Sequence, residues 1–483
     1  MQPADLARSK SFIPPAFSTT QPTLDKNRIA ILPFANFSPD AKDEYFADGI
    51  TEEIISTVSG ISGLSVISRT SVMGYKGTTK KVKEIGKELD VGSVLEGSFR
   101  KAGNKIRIAT QLIDVAGDRH LWAENYDREL DDVFAVQSDI ARQVANALRV
   151  KILPRDQTHI EKIPTRNPEA HSLYLKGRYY WNQRSKDSLL KAIEEYEAAI
   201  KLDPDYALAY SGIADSYSVL GDHNYLPYAE AFSKQREYAL KAVERDETSA
   251  EARTSLAAAL RNEREYSAAE AEIEKALELN PSYATAHHWY GVHLLYTGRR
   301  EGALQEALTA QKLDPLSPMI ASFVGITHDA LGNYEHAERQ HLRALELQPD
   351  FIPAIANLAG TYWHERKFDD VERLGQTYLR VSKDEFTSKL AFATNYALAG
   401  KEMEARRTMA EAEKIRDTTQ PHDPLEVIYH IALRELDKAV ELIEDEYARG
   451  ADWLGEIAYD PLYAAVRNDQ RVKSILRKTG TLL

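Results

Sequence analysis

The 483-residue chain contains no cysteine, which excludes disulfides and thiolate-ligated zinc and suits a reducing, cytoplasmic compartment. It has no apolar run near the roughly 20 residues a membrane span needs. Its first 26 residues place Pro3, Pro14, Pro15 and Pro22 among Ser and Thr, with none of the apolar core of a signal peptide, and read as a flexible linker (1–26). No G-x-x-x-x-G-K-[ST] occurs, so the usual phosphate-cradling loop is missing, and no G-x-S-x-G elbow presents a nucleophile. Positive charge is in deficit. The net charge is −13, acids and bases nearly balance between Asn27 and Leu153, and the acidic excess lies after Pro154. An acidic surface repels phosphate backbones, so the later part of the chain is not expected to bind nucleic acid.

The chain does carry a period. Pro281, Pro315 and Pro349 fall 34 residues apart and close the phrases ALELNP, AQKLDP and ALELQP. Small residues recur in phase: Ala257, Gly291 and Gly325, then Ala269, Ala303 and Ala337, then Ala276, Ala310 and Ala344. Two helices approach closely only where one side chain is nearly absent, and a proline cannot continue a helix. A period of this length therefore predicts stacked helical hairpins with a small-residue seam and favours binding over catalysis. Ala337 should lie in that seam and Glu338, the next residue, should face solvent. These residues resemble the tetratricopeptide repeat. Weaker units end near Pro204 and Glu247, with a turn-rich insert at Gly221–Pro227, and others run to about Lys383 and Asp417. About seven units and a degenerate carboxy-terminal cap are expected over 173–483, after a connector at 154–172.

Residues 27–153 have a different rhythm. Ile29–Phe34 is a short apolar run, Phe46, Ile50, Ile54 and Val58 repeat at helical spacing, Leu64–Ile67 reads as a strand and Val82–Leu89 as a helix. Ser93–Lys101, Lys105–Asp114 and Arg119–Asp127 alternate with period two across hairpin turns, and Val133–Val150 closes as a helix. The predicted order is βαβαβββα, an α/β domain of one sheet with packed helices, followed by an all-α repeat superhelix. The phrases IAILPFANFSPD, EYFADGITEEI, YKGTTKKVKEIGKELDVGSVLEGSFRKAGNKIRIATQLID and HLWAENYDREL resemble the TolB-like amino-terminal domain of bacterial signalling proteins, which often follows a class III nucleotide cyclase or a winged-helix domain. That resemblance covers roughly Arg28 to Ile152 and implies protein interaction rather than a reaction.

Local features reduce to structure. Gly60-Ile61-Ser62-Gly63 fits a helix-to-strand turn, Gly49 a close approach of helix to sheet, and the lysines from Lys76 to Lys87 a solvated face. His287, His288 and His293 lie one, five and six apart, which is wrong for a metal pair on a helix. No metal, cofactor or catalytic residue is expected.

The resemblance to tetratricopeptide repeats implies a groove lined by first helices, with Trp181, Arg184, Asp215, Thr254, Arg261, His288, Val292, Tyr296, Ile326, Asp329, Trp363 and His364 facing it. Aromatic anchors such as Tyr296 and Trp363 suit peptide binding, although Trp181 and Trp363 equally suit gap-filling between units. Ala258, Val292, Ile326 and Gly360 stand where repeats that capture acidic carboxy termini carry Asn, which disfavours that mode. The sequence thus points to a non-catalytic adaptor for a protein or peptide, with self-association open. The alternative is the regulatory portion of a class III cyclase whose catalytic domain lies outside this chain.

Overall fold

A computed structural model describes residues 24–480 apart from 41–42, 223–224, 417–421, 450 and 452. Most of the linker, the middle of the 221–227 insert and the unit end near Asp417 lie outside the described residues.

The α/β region forms one mixed sheet in the order β3-β1-β4-β5-β6, with β2 paired to β4. Its strands are β1 (Arg28–Ile31), β2 (Ala35–Asn36), β3 (Ser65–Val66), β4 (Ser93–Ala102), β5 (Lys105–Asp114) and β6 (Arg119–Glu129). β1 pairs in parallel with β3 and β4, while β4, β5 and β6 form an antiparallel meander. On β5 the period-two reading is realised: Ile106, Ile108, Thr110 and Leu112 are buried, and Arg107 on the other face is exposed. The helices are α1 (Glu44–Ser59), α2 (Arg69–Met73), α3 (Val82–Glu88) and α4 (Val133–Leu148). Phe46, Ile50, Ile54 and Val58 of α1 are all fully buried.

Antiparallel helix pairs follow. After α5 (Pro154–Ile160) come α6 (Pro168–Trp181) with α7 (Lys186–Leu202), α8 (Ala207–Asp222) with α9 (Tyr228–Arg245), and α10 (Ala250–Asn262) with α11 (Tyr266–Leu279). Then come α12 (Ala284–Tyr296) with α13 (Arg300–Leu313), α14 (Pro318–Ala330) with α15 (Tyr334–Leu347), α16 (Ile352–His364) with α17 (Phe368–Ser382), and α18 (Glu385–Leu398) with α19 (Glu402–Glu413). A short pair, α20 (Pro424–Ala432) and α21 (Leu436–Arg449), precedes two 3-10 turns at Trp453–Ala458 and Pro461–Tyr463 and a last helix, α22 (Gln470–Lys478). Asp203, Asn280 and Gln348, each just before a repeat proline, are extended at φ −140°, −139° and −142°, as the proline ring requires of its predecessor. The seam is made as the phase predicts, since Ala276, Ala303, Ala310, Ala337 and Ala344 are fully buried.

The chain divides into two compact units. One joins the α/β region to the repeats up to Trp289 and includes Lys312–Pro315; the other holds Tyr290–Gln311 and the chain from Leu316 onward.

Candidate functional site

In the first unit, the inner helices of the leading repeats meet a segment of the same chain. α1 packs along α6, and the approach is closest at Gly49, where an added Cβ would stand 2.7 Å from Leu175 Cδ2. Gly49 is therefore required by a repeat helix and not by the sheet. Charge locks the contact. Arg178 Nε donates to Glu52 Oε1 at 2.8 Å and Arg69 Nε lies 3.0 Å from Glu52 Oε2. Burial opposes ionisation of Glu52, but the two arginines outweigh it and hold this carboxyl below its ordinary range. Glu53 meets His171 Nε2 at 2.7 Å and accepts from Gln137 Nε2 at 2.6 Å. Farther along α1, Ser56 donates to Glu251 of α10 at 2.9 Å, and Asn280 donates to Ser59 at 2.7 Å. The Gly60–Gly63 loop is a turn into β3, and a Cβ at Gly60 would strike His159.

The sequence-predicted residues of this unit lie on α6, α8, α10 and α12 and the turn after α6. Trp181 lies between two guanidinium groups, Arg178 Cζ at 4.5 Å and Arg184 Cζ at 3.5 Å from its ring centroid. Arg184 itself is exposed. Asp215 accepts from Ser255 at 2.6 Å, and burial raises it to about 6. Thr254 is buried and donates to Ala250 O at 2.7 Å, so it faces its own helix and not a groove. Arg261 donates to Asn262 at 3.0 Å. Burial, with Arg261 beside it, lowers His288 to about 4, which leaves the imidazole neutral at pH 7.

In the second unit, Ile326, Asp329, Trp363 and His364 line one cavity of about 390 Å³. Its walls come from α14, α16, α17, α18 and α20, and its remaining side from the 3-10 turns, through Glu456, Tyr459, Asp460 and Tyr463. Trp363 is only 7% exposed, packs with Ile355, Leu358 and Leu374, and donates from Nε1 to Asn395 Oδ1 at 3.1 Å. The gap-filling reading therefore holds for Trp363, which joins one unit to the next. His364 stacks on Tyr334 at 4.9 Å and places Nε2 3.5 Å from Asp460 Oδ1. Asp329 accepts from Thr361 at 2.9 Å and meets His341 Nε2 at 3.2 Å, both through Oδ2, while its Oδ1 is buried without a hydrogen-bond partner. Val292 packs with the Phe323–Val324 core. Tyr296 lies against Gly455, where an added Cβ would come within 2.7 Å of its ring. Trp363 is not an open aromatic anchor, and Tyr296 is half-buried.

Comparison with known proteins agrees with this architecture. Residues 184–221 and 250–283 match tetratricopeptide-repeat profiles. The run of helix pairs has the fold of a tetratricopeptide-repeat superhelix. Residues 25–143 match the second domain of HilA/YgeH-like transcriptional regulators. A Rhizobium meliloti protein named as an adenylate cyclase is 43% identical over 189 residues, which is 39% of this chain and 32% of that protein. The transcriptional regulator HilA of Salmonella typhimurium is 25% identical over 305 residues, 62% of this chain and 52% of its own. The chain thus matches about a third to a half of the length of these curated relatives. Among solved structures, PilF of Pseudomonas aeruginosa shares 22% identity with a TM-score of 0.35, over 46% of this chain and 97% of that one.

Sequence reasoning missed the contribution of the carboxy-terminal turns, Tyr459, Asp460 and Tyr463, to the cavity. A short 3-10 segment has no periodicity to detect, and Pro461 was its one local signal. Gly360 also lines the cavity. Its place on the inner helix was legible, but its open surroundings were not.

Proposed function

We propose that the chain is a non-catalytic interaction scaffold that holds a peptide segment of a partner protein in the cavity of its second unit. The observation that carries this reading is the cavity itself: concave, mostly apolar, walled by repeat helices and the carboxy-terminal turns, and within the size range of ligand sites. The corresponding face of the leading repeats is engaged by α1, which leaves the later repeats as the receptive part. The TolB-like resemblance of Arg28–Ile152 fits a role in signalling from the cytoplasm. Among the described residues no helix is long and apolar enough to cross a membrane, and no cluster of three or more His, Asp or Glu could hold a metal.

The second reading is the regulatory portion of a cyclase or of a transcriptional regulator, supported by the 43% identity over 189 residues and by the match at residues 25–143. It differs from the first in what the scaffold serves, not in how it binds. Two assays test the pair. A randomised peptide array probed with the labelled chain should give binders that Gly360→Leu abolishes without lowering the melting temperature; binders indifferent to that change would move the site elsewhere. Purified chain with ATP or GTP and magnesium or manganese should make no cyclic nucleotide above a protein-free blank, and turnover that survives repurification would end the non-catalytic reading.

A further inference from the structure

Gly360 sits inside α16, where a glycine is less favourable than alanine. Other inner-helix glycines have a packing reason. A Cβ at Gly212 would stand 2.5 Å from Tyr196, at Gly291 2.8 Å from Phe323, and at Gly325 2.4 Å from His341. At Gly360 an added Cβ would meet nothing within 4 Å, and the residue borders the cavity. The missing side chain thus relieves no clash within the protein; it widens the cavity.

The chemistry of the lining gives the sign of what enters. Four carboxylates border the cavity, Asp329, Asp423, Glu456 and Asp460, against the single imidazole of His364. Asp329, with Oδ2 held by Thr361 and His341, brings its charge to the cavity wall. Aromatic rings also line the wall, Tyr378 and Phe392 among them, and attract cations through their faces.

We infer that this cavity recognises an apolar chain ending in a positive charge, the arginine or lysine side chain of a peptide flanked by apolar residues. The inference rests on the peptide-scaffold reading and adds the chemistry of the anchor. The guanidinium or ammonium lies against the carboxylates of this lining, Asp329 among them, and the aliphatic stem takes the space that Gly360 leaves.

The test uses the full chain and three pools of acetylated, amidated hexapeptides. The central residue is arginine, norleucine or glutamate, and the flanks are randomised among apolar and small residues. Butylguanidine serves as a free cation. Retention is measured by equilibrium dialysis and mass spectrometry on wild type, Gly360→Leu and Asp329→Asn, with thermal melting as the folding control. The arginine pool should be retained about tenfold more than the norleucine pool and more still than the glutamate pool. Gly360→Leu should abolish retention at unchanged or raised melting temperature, and Asp329→Asn should bring the arginine preference below about threefold. If norleucine or glutamate peptides bind as well as arginine peptides and Gly360→Leu blocks them, the cationic anchor is wrong and the peptide scaffold stands. If butylguanidine binds in a Gly360-dependent way and no pool does, the charge preference stands and the peptide reading falls. If nothing binds wild type, both fall.

Discussion

Gly49 of α1 stands against Leu175 of α6, so close that a Cβ on the glycine would lie 2.7 to 3.0 Å from three atoms of the leucine side chain. This contact binds the α/β region to the first repeat as one packed body, with the Glu52–Arg178 ion pair and the Glu53–His171 contact beside it. Gly49→Leu should overpack the contact and cost about 1–3 kcal/mol. Because the obstruction is a flexible side-chain tip, Leu175→Ala in the same chain should recover part of the loss. A double-mutant cycle by urea unfolding measures the coupling, and strictly additive single effects would show that the two residues do not meet.

The pH dependence of stability follows from two opposed sets of carboxylates. Glu52, held down by Arg178 and Arg69 against the pull of burial, contributes stability present above its unfolded value near 4.5 and lost as pH falls through its lower folded value. Asp215, Asp314 and Asp423 are raised to about 6, chiefly by burial. A raised carboxyl gives stability below its unfolded value of 3.8, and this is lost as pH rises through 6. On these groups the melting temperature should peak near pH 4, where the two windows meet, fall through about pH 6 and level off above it. Asp215→Asn should raise the melting temperature at pH 7.5 and change it little at pH 4.5. An equal loss at both pH values would place Asp215 as a stabilising anion instead.

Much of this was legible in the residues themselves. The 34-residue period located the hairpins because each proline forces its predecessor out of the helix and each alanine marks a seam, and both constraints are local. The β5 alternation gave its buried face for the same reason. What could not be read were the contacts made by residues far apart in sequence. Nothing around Gly49 names Leu175, and nothing around Trp363 names Asn395. The family phase put Asp329, Trp363 and His364 on inner helices, and the structure joins them in one cavity. It could not show that Trp363 is consumed by its neighbour, or that chain beyond Trp453 supplies the opposite wall.

Ala337 and Glu338 separate seam from surface less cleanly than their spacing implies. Ala337 is fully buried, and Ala337→Leu should cost about 1–3 kcal/mol, felt most by the adjacent units. Glu338, expected to face solvent, accepts from the Tyr362 hydroxyl at 3.1 Å and from Lys367 Nζ at 2.7 Å. Glu338→Ala should then cost about 1 kcal/mol, since it strands the buried phenol. Glu335, 83% exposed and paired with Arg339 one turn on, is the true surface control and should stay within about 0.5 kcal/mol on replacement by alanine. Equal losses at 335 and 337 in a denaturation series would refute the seam assignment.

Trp363 now predicts a stability effect before a binding effect. Its ring fills the space among Ile355, Leu358 and Leu374, and its indole N–H satisfies Asn395, which itself donates to Phe368 O at 3.1 Å. Trp363→Ala should cost about 3–5 kcal/mol through the cavity it leaves. Trp363→Phe, which keeps most of the apolar contact but strands Asn395 Oδ1, should cost about 1–2 kcal/mol. The two variants should weaken the unit in that order in urea titrations monitored by circular dichroism. A Trp363→Ala protein as stable as wild type would mean that the indole is a free anchor in an open groove. With the expected order, any loss of ligand binding in Trp363→Ala reports a loosened wall, and Gly360→Leu, which fills the cavity without removing a contact, becomes the substitution that separates binding from folding.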